Sequence, residues 1–429
     1  MINVIIALPH AREYPTSGYS EASSGRQPPP IEAFSFQGRL GIPEAQARQA
    51  YLVSCAQLLN DEIFTDGAGE VTPLPQSSKG ASLIRTGDMV LKFAFTKPDR
   101  FAKYIDNLPQ LVMGAGAIHA SSYGVMRTHS GPPVSFLRQE YIPGITGADF
   151  LRQYPSDRDA FEETVGEMLA GVHTVHASGN EQFYTERKRP YRVTHGAGWK
   201  VTCYEAGSGK FHDRQVYDRW PQGFLLEEEL CKLLAPRHGE VRVDSLGNAL
   251  ETIKKLAVHR QWTAVLGLPH GRVLNHSDAK PENFLVCTAE AWDAVKGRFR
   301  TTGHRKEIGG RPYVFFSLDY DFARAYPSLF GELGALVPLR PTETEQKQTI
   351  VNVVTGSGMR CAEAYRDILH DIALAVRVET LAQHARYAHA TDDTERRDIY
   401  LDMIAGLHAT YPDMPERFAE ILHSFLWLW

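Results

Sequence analysis

The stretch that most constrains the fold runs from Leu274 to Val286 and reads L-N-H-S-D-A-K-P-E-N-F-L-V. Val273 and Leu274 form an apolar approach, and Phe284, Leu285 and Val286 lead out as a short strand. The polar loop between them presents His276, Asp278, Lys280 and Asn283 at fixed offsets. Pro281 blocks a helix through the middle of the turn, because proline lacks the N–H and its ring clashes with the preceding turn. A carboxylate and a carboxamide therefore sit five residues apart on one rigid bend. Asp278 can accept a proton from a hydroxyl. The carboxamide oxygen of Asn283 suits Mg²⁺, a hard cation that prefers oxygen ligands.

A second acidic turn follows downstream. Tyr313 to Ala323 reads Y-V-F-F-S-L-D-Y-D-F-A, an apolar strand ending at Asp319. The two pieces together resemble the aminoglycoside phosphotransferase-like branch of the protein-kinase-like fold. That family carries H-x-D-x-x-x-x-N followed by a hydrophobic strand ending in I/L-D-W/Y. Here these motifs are His276-Ser-Asp278-Ala-Lys-Pro-Glu-Asn283 and Leu318-Asp319-Tyr320.

The resemblance implies an α+β, two-lobed kinase-like fold that uses ATP and Mg²⁺. Its expected divisions are an N-terminal extension and helix over 1–65, a nucleotide-binding lobe over 66–143 and a helical lobe over 144–429. Asp278 is then the catalytic base, Lys280 a contact to the transferring phosphoryl group, and Asn283 and Asp319 the metal ligands. Asp321 is a candidate support for the metal.

Nucleotide contacts are expected upstream. The residues from Val71 to Phe95 read as three short strands, the last two paired across Thr86-Gly-Asp88. Lys92 stands inside Met89-Val-Leu-Lys-Phe-Ala-Phe95. It is either an edge-strand lysine that discourages aggregation or, by the resemblance, the lysine on the α- and β-phosphates. The turn before it has no G-x-G-x-x-G and offers Ser77, Ser78, Lys79, Gly80 and Ser82 instead; hydroxyls and backbone N–H groups can also cover phosphates. In kinases a helical acid braces the strand lysine, and Asp106 is the candidate here. Val134 to Ile142, closed by Pro143-Gly144, falls where a hinge belongs. The resemblance puts backbone groups of Glu140 and Ile142 on the base and lines the slot with Tyr141.

The rest of the chain is less specific. Residues 11–35, rich in Ser, Gly and Pro, read as a loop or partly ordered lead-in, and Pro43 to Ile63 as a helix. Ser156 to His176 reads as an amphipathic helix capped by Ser156, with His173 structural. Between Gly179 and Gly271 the resemblance thins. Glu186 to Arg192 is basic, with Tyr204, Phe211, Tyr217 and Trp220 nearby: an acceptor-binding insert or a solvated loop. Ala206-Gly-Ser-Gly-Lys210 imitates a phosphate loop but lacks its first glycine and has Phe211 where Ser or Thr belongs. Leu225 to Leu234 and Leu246 to Val258 read as helices. Residues 288–312 form a basic insertion, and the C-terminal third is helical, with stripes at Tyr365 to Val376, Ile399 to Leu407 and Pro415 to Trp429.

Composition excludes several classes. Across 429 residues, 43% hydrophobic content allows a sizeable core, and a net charge of −5 argues against a generally basic nucleic-acid binder. Cys55, Cys203, Cys231, Cys287 and Cys361 are scattered without a C-x-x-C pair, so neither zinc nor a disulfide framework is expected. Val4 to Leu8 is too short for a signal peptide, and no run approaches a membrane span. The expectation is a cytoplasmic protein with a small-molecule hydroxyl acceptor and no nucleic-acid or membrane partner. Two alternatives stay open. Lys280-Pro-Glu-Asn283 is like the loop of Ser/Thr protein kinases, although Ser277 replaces their Arg and Asp319-Tyr-Asp replaces D-F-G. A pseudokinase acting as a binding module is the other.

Overall fold

A computed structural model describes residues 2–7, 19–24, 44–62, 64, 69–74, 82–94, 101, 116–127, 134–185, 192–194, 200–205, 210–215, 272–320, 324–327, 329–359, 363–390, 394–414, 416–417 and 420. In chain order come β1 (Ile2–Ala7), β2 (Tyr19–Ser24), α1 (Glu44–Glu62), β3 (Val71–Pro73), β4 (Ser82–Thr86), β5 (Met89–Ala94), β6 (Ala120–Arg127), β7 (Val134–Glu140) and β8 (Ile145–Thr146). Next are α2 (Gly147–Gln153), α3 (Arg158–Thr185), β9 (Arg192–Thr194), β10 (Lys200–Glu205), β11 (Lys210–Gln215), β12 (Arg272–Asn275) and β13 (Phe284–Thr288). Then follow α4 (Ala289–Asp293), β14 (His304–Ile308), β15 (Arg311–Ser317), β16 (Arg324–Pro327), α5 (Phe330–Leu336), α6 (Glu343–Gly356), α7 (Glu363–Ala390) and α8 (Thr394–Thr410).

The chain divides into two compact units. Met1–Phe150 with Phe284–Phe322 makes the first, and Leu151–Asn283 with Ala323–Trp429 makes the second.

In the first unit a seven-stranded sheet runs β2-β1-β6-β7-β5-β4-β3. Strand β5 lies between β4 and β7, so Lys92 is on an interior strand and the edge-lysine explanation fails. Side chains alternate along a strand. Leu91 and Phe93 join Ile84, Met126, Val134 and Phe136 in a core that α1 covers with Tyr51, Leu52, Cys55, Ala56 and Leu59. Lys92 therefore points to the opposite face. Burial pushes the Cys55 thiol up to about 12. A second sheet, β14-β15-β13-β8, packs Trp292 against Phe316 at 4.8 Å and Phe150 against Tyr313 at 5.2 Å.

Three stretches carry more structure than the sequence announced. The lead-in of residues 11–35 contains β2, which pairs with β1 from Ile2↔Ser24 to Ala7↔Tyr19. Its sequence, Tyr-Ser-Glu-Ala-Ser-Ser, is too polar to announce a strand; the partner supplies the pairing. Strand β6 was not foreseen, yet it joins β1 to β7. The insertion at 288–312 is built structure: α4, capped by Thr288 accepting from the Ala291 N–H at 3.3 Å, and the hairpin β14–β15.

In the second unit Ser156 does not cap a helix. It lies in a 3-10 turn, Pro155–Asp157, and α3 begins after it and continues to Thr185. Ala206 to Gly209 of the mimic lie outside the described residues; Glu205 and Lys210 on either side pair as the ends of β10 and β11, so a strand and not a helix follows the mimic. Helices α3 and α6 approach closely: a Cβ at Gly356 would collide with the Glu163 carbonyl, and one at Gly166 with the Val353 carbonyl. Arg340 ties the pair, with Nη2 2.6 Å from Asp159 Oδ1 and Nε 3.0 Å from Glu162 Oε1. Helix α7 buries Leu369, Ile372 and Val376 as expected, but Ile399 of α8 is 50% exposed while Leu401 and Ile404 are buried. Ser77, Ser78, Lys79, Asp106, Asp321, residues 186–191, Tyr217 and Trp220, the stretches 225–234 and 246–258, and most of 415–429 lie outside the described residues. Among the described residues no helix is long and apolar enough to cross a membrane.

The α3–α6 contact has a direct test. Gly356→Ala puts a methyl group against backbone that cannot yield like a side chain, and overpacking costs about 1–3 kcal/mol. Urea unfolding should show a loss of that size, whereas Gly406→Ala on α8, where nothing lies within 4 Å, should lose nothing measurable.

Candidate active site

In the second unit the loop after β12 is held from below. Strand β12 pairs with β16, Arg272↔Pro327 to Asn275↔Arg324. Asn275 Oδ1 accepts from the Gly331 N–H at 3.0 Å, at the start of α5. One turn of that helix brings Glu332, fully buried, whose Oε1 accepts from the His276 N–H at 2.8 Å and Oε2 from the Ser277 N–H at 3.2 Å. Ser277 has φ 62°, a left-handed conformation that is uncommon for a residue with a side chain. Its Oγ is buried with no hydrogen-bond partner among the described residues.

Past this constrained residue the two functional side chains meet. Asn283 Nδ2 donates to the Asp278 carbonyl at 2.7 Å and to Asp278 Oδ2 at 2.8 Å. Both neighbours are acceptors, so the amide orientation is fixed and Asn283 Oδ1 turns away from Asp278. Pro281 starts a 3-10 turn, Pro281–Asn283, that sets this spacing. Asp278 and Asn283 are both 6% exposed, and Lys280 is half-buried.

Sequence reasoning missed two residues of this half. Burial holds the Arg377 guanidinium below its usual value, and the Asp278 charge opposes that drop, which places an α7 cation within the electrostatic reach of the candidate base. An arginine interrupting Ile372-Ala-Leu-Ala-Val-Arg377-Val was the available signal. Glu332 had a similar one, an acid inside the apolar stretch Phe330 to Leu336.

In the first unit Lys92 Nζ lies 2.7 Å from Asp319 Oδ1. A 7%-exposed lysine on an interior strand needs a compensating charge, and Asp319 supplies one. Phe101 lies 5.9 Å from the ammonium. Asp319 has φ 60°. The turn is reached from β15, where the Ser317 N–H donates to the Gly116 carbonyl at 3.1 Å and Tyr320 Oη donates to Ser317 Oγ at 2.8 Å. Ser82 opens β4 opposite Phe93.

The hinge residues are placed but partly committed. The Glu140 N–H donates to the His119 carbonyl at 2.9 Å and the Tyr141 N–H to the Asp88 carbonyl at 2.8 Å. The Arg85 guanidinium covers the Tyr141 ring at 3.9 Å. The Ile142 side chain is buried in the cluster with Ile118, Trp292 and Phe316.

No family model matches the chain, and no curated protein matches it. Solved structures do. The GDP complex of a point mutant of aminoglycoside 2′-phosphotransferase-IIIa is 15% identical, with a TM-score of 0.50, covering 84% of this chain and 98% of that one. A choline/ethanolamine kinase family protein from Mesorhizobium loti is 14% identical, with a TM-score of 0.46, covering 87% and 99%. The wild-type phosphotransferase-IIIa GDP complex is 15% identical, with a TM-score of 0.48, covering 83% and 98%. The first of these likenesses, at a TM-score of 0.50, gives the chain the protein-kinase-like fold that the two motifs implied.

The hold on the loop can be measured. Glu332→Ala strands two buried N–H groups, and each unsatisfied group costs about 1–3 kcal/mol. A loss of at least about 2 kcal/mol is expected in urea melts. Glu332→Gln keeps one acceptor and should recover part of that loss.

Proposed function

We propose that the protein is an ATP-dependent phosphotransferase that moves the γ-phosphoryl group to a hydroxyl of a small molecule. The observation that carries this is the Asp278–Asn283 pair. One carboxylate is oriented by an amide whose own oxygen is turned elsewhere. That leaves one group for an acceptor hydroxyl and one oxygen for a cation. The similarity in fold to an aminoglycoside phosphotransferase supports the reading.

In this mechanism Asp278 orients the acceptor hydroxyl and takes its proton as the oxygen bonds to the γ-phosphorus and the bond from that phosphorus to the bridging oxygen breaks, releasing ADP. A loose transition state needs proton removal only late, so orientation counts as much as basicity. Lys280 places positive charge near the transferring group, where preorganised charge helps most. Lys92 holds the α- and β-phosphates, and Asp319 is its counter-charge before nucleotide arrives. Asn283 and Asp319 are hard oxygen donors and fit Mg²⁺, which when bound neutralises charge on the phosphates. Arg377 holds the Asp278 side of the loop in a positive field. The acceptor is a hydroxyl-bearing metabolite, and residues 180–262 contribute to its selection.

Two experiments test this. Asp278→Asn keeps an acceptor for Asn283 Nδ2 and removes the charge. A positioned base contributes about 10²–10⁴-fold, so single-turnover transfer should slow by about 10²-fold or more while nucleotide affinity changes only a few-fold. Near-normal transfer would remove Asp278 from the chemistry. Asp319→Ala should abolish the Mg²⁺-dependent part of the thermal shift given by ATP. An unchanged metal-dependent shift would show that Asp319 holds no metal. Protein substrates in the same transfer assay separate a protein kinase, the reading that Lys280-Pro-Glu-Asn283 favours.

A further inference from the structure

The segment between α4 and β14 is fastened to the end of β7 by side chains. Glu140 closes β7 and is only 7% exposed. Its Oε1 accepts from the Arg300 N–H at 2.8 Å. Its Oε2 accepts from the Thr301 N–H at 3.0 Å and from Thr301 Oγ1 at 2.6 Å. Thr301 Oγ1 in turn accepts from the His119 N–H at 2.8 Å, and the His119 carbonyl accepts from the Glu140 N–H at 2.9 Å. The bonds close a ring through Glu140, Thr301 and His119.

The segment is also fixed on either side of that ring. Arg298 Nε donates to Asp88 Oδ2 at 2.9 Å, and the carbonyl of the same Asp88 receives the Tyr141 N–H. Gly303 lies so close to Val314 and Phe316 that a Cβ would collide with both. Gly116, at φ +59°, passes so close to the Phe315 and Thr302 carbonyls that a Cβ would lie 3.2 and 3.3 Å from them. A carboxylate buried to this degree is expensive unless fully bonded. Glu140 meets the condition by taking three donors from one short stretch of chain.

Glu140 and Ile142 are the residues whose backbone groups the functional reading assigns to the nucleotide base. We propose that residues 298–303 are a strap that positions the hinge for the purine base, with Thr301 and Glu140 as its positioning residues. This rests on the phosphotransferase reading. The strap holds Glu140 through its side chain and Tyr141 through Asp88, so it sets the direction in which the intervening backbone faces. Hydrogen bonds weaken steeply with misalignment, so releasing the strap costs base contacts. The phosphates depend on Lys92, on another strand, and keep theirs.

The test uses the full chain with Mg²⁺ and three probes: ATP, GTP and inorganic tripolyphosphate. Thr301→Val removes the donor to Glu140 and the acceptor for His119 at almost unchanged volume. It should weaken binding of the preferred nucleoside triphosphate up to about tenfold, the loss of one backbone-to-base hydrogen bond, and leave tripolyphosphate within about twofold. Thr301→Ser restores the hydroxyl and should restore nucleotide affinity. The proposal is overturned if Thr301→Val weakens nucleotide and tripolyphosphate equally, if it changes neither, or if Thr301→Ser behaves like Thr301→Val. Wild-type binding of tripolyphosphate without preference for either nucleotide overturns the strap's role and leaves the phosphate site standing. Wild-type binding of none of the three overturns the phosphotransferase reading itself, and the strap's role with it.

Discussion

Left-handed backbone at one residue with a side chain in each unit is the constraint around which that unit's candidate residues are set. Ser277 and Asp319 have φ 62° and φ 60°. Strain of this kind costs on the order of 1–3 kcal/mol per residue and persists only where surroundings over-determine it. At Ser277 the surroundings are Glu332, which accepts the N–H groups of His276 and Ser277 on either side of the His276 Cα, and β12, which pairs the preceding residues. At Asp319 they are the Lys92 ion pair and the Ser317 bonds. In each case the strained residue is at or next to the carboxylate that the mechanism needs.

Buried carboxylates recur as fasteners. Glu332 holds loop backbone, Glu140 holds strap backbone, and Glu162 takes Arg340 and the Asn352 amide, the latter at 3.0 Å. None is more than 7% exposed. An acid in such a place is worth little as an isolated charge, because desolvation offsets its attraction. It is worth more as a multiple acceptor that joins elements distant in sequence, since its removal leaves several donors unsatisfied at once.

That pattern explains what was legible in the sequence. Asp278 and Asn283 meet across five positions, so their spacing and Pro281 were enough to read the loop. The hairpin β4–β5 was legible for the same reason, a two-residue turn between apolar runs. Lys92 and Asp319 were each singled out, but their pairing spans 227 positions and leaves no local trace. Glu332, Arg377 and the side chain of Glu140 act only through distant partners; Glu332 and Arg377 stood in the sequence as unexplained charges in apolar runs, and Glu140 was read for its backbone alone. Strands β2 and β6 were missed because their pairing comes from neighbours. The basic insertion encodes its order in Trp292, Thr301 and Gly303, residues whose meaning depends on what they touch.

The most direct measurement is the fate of the γ-phosphate. The protein is incubated with γ-labelled ATP, Mg²⁺ and a panel of hydroxyl-bearing metabolites, and the products are separated. The account predicts label on the hydroxyl of an acceptor, dependent on both acceptor and Mg²⁺, with little released as free phosphate. Label found only as free phosphate, or only on protein, whatever acceptor is supplied, would contradict it.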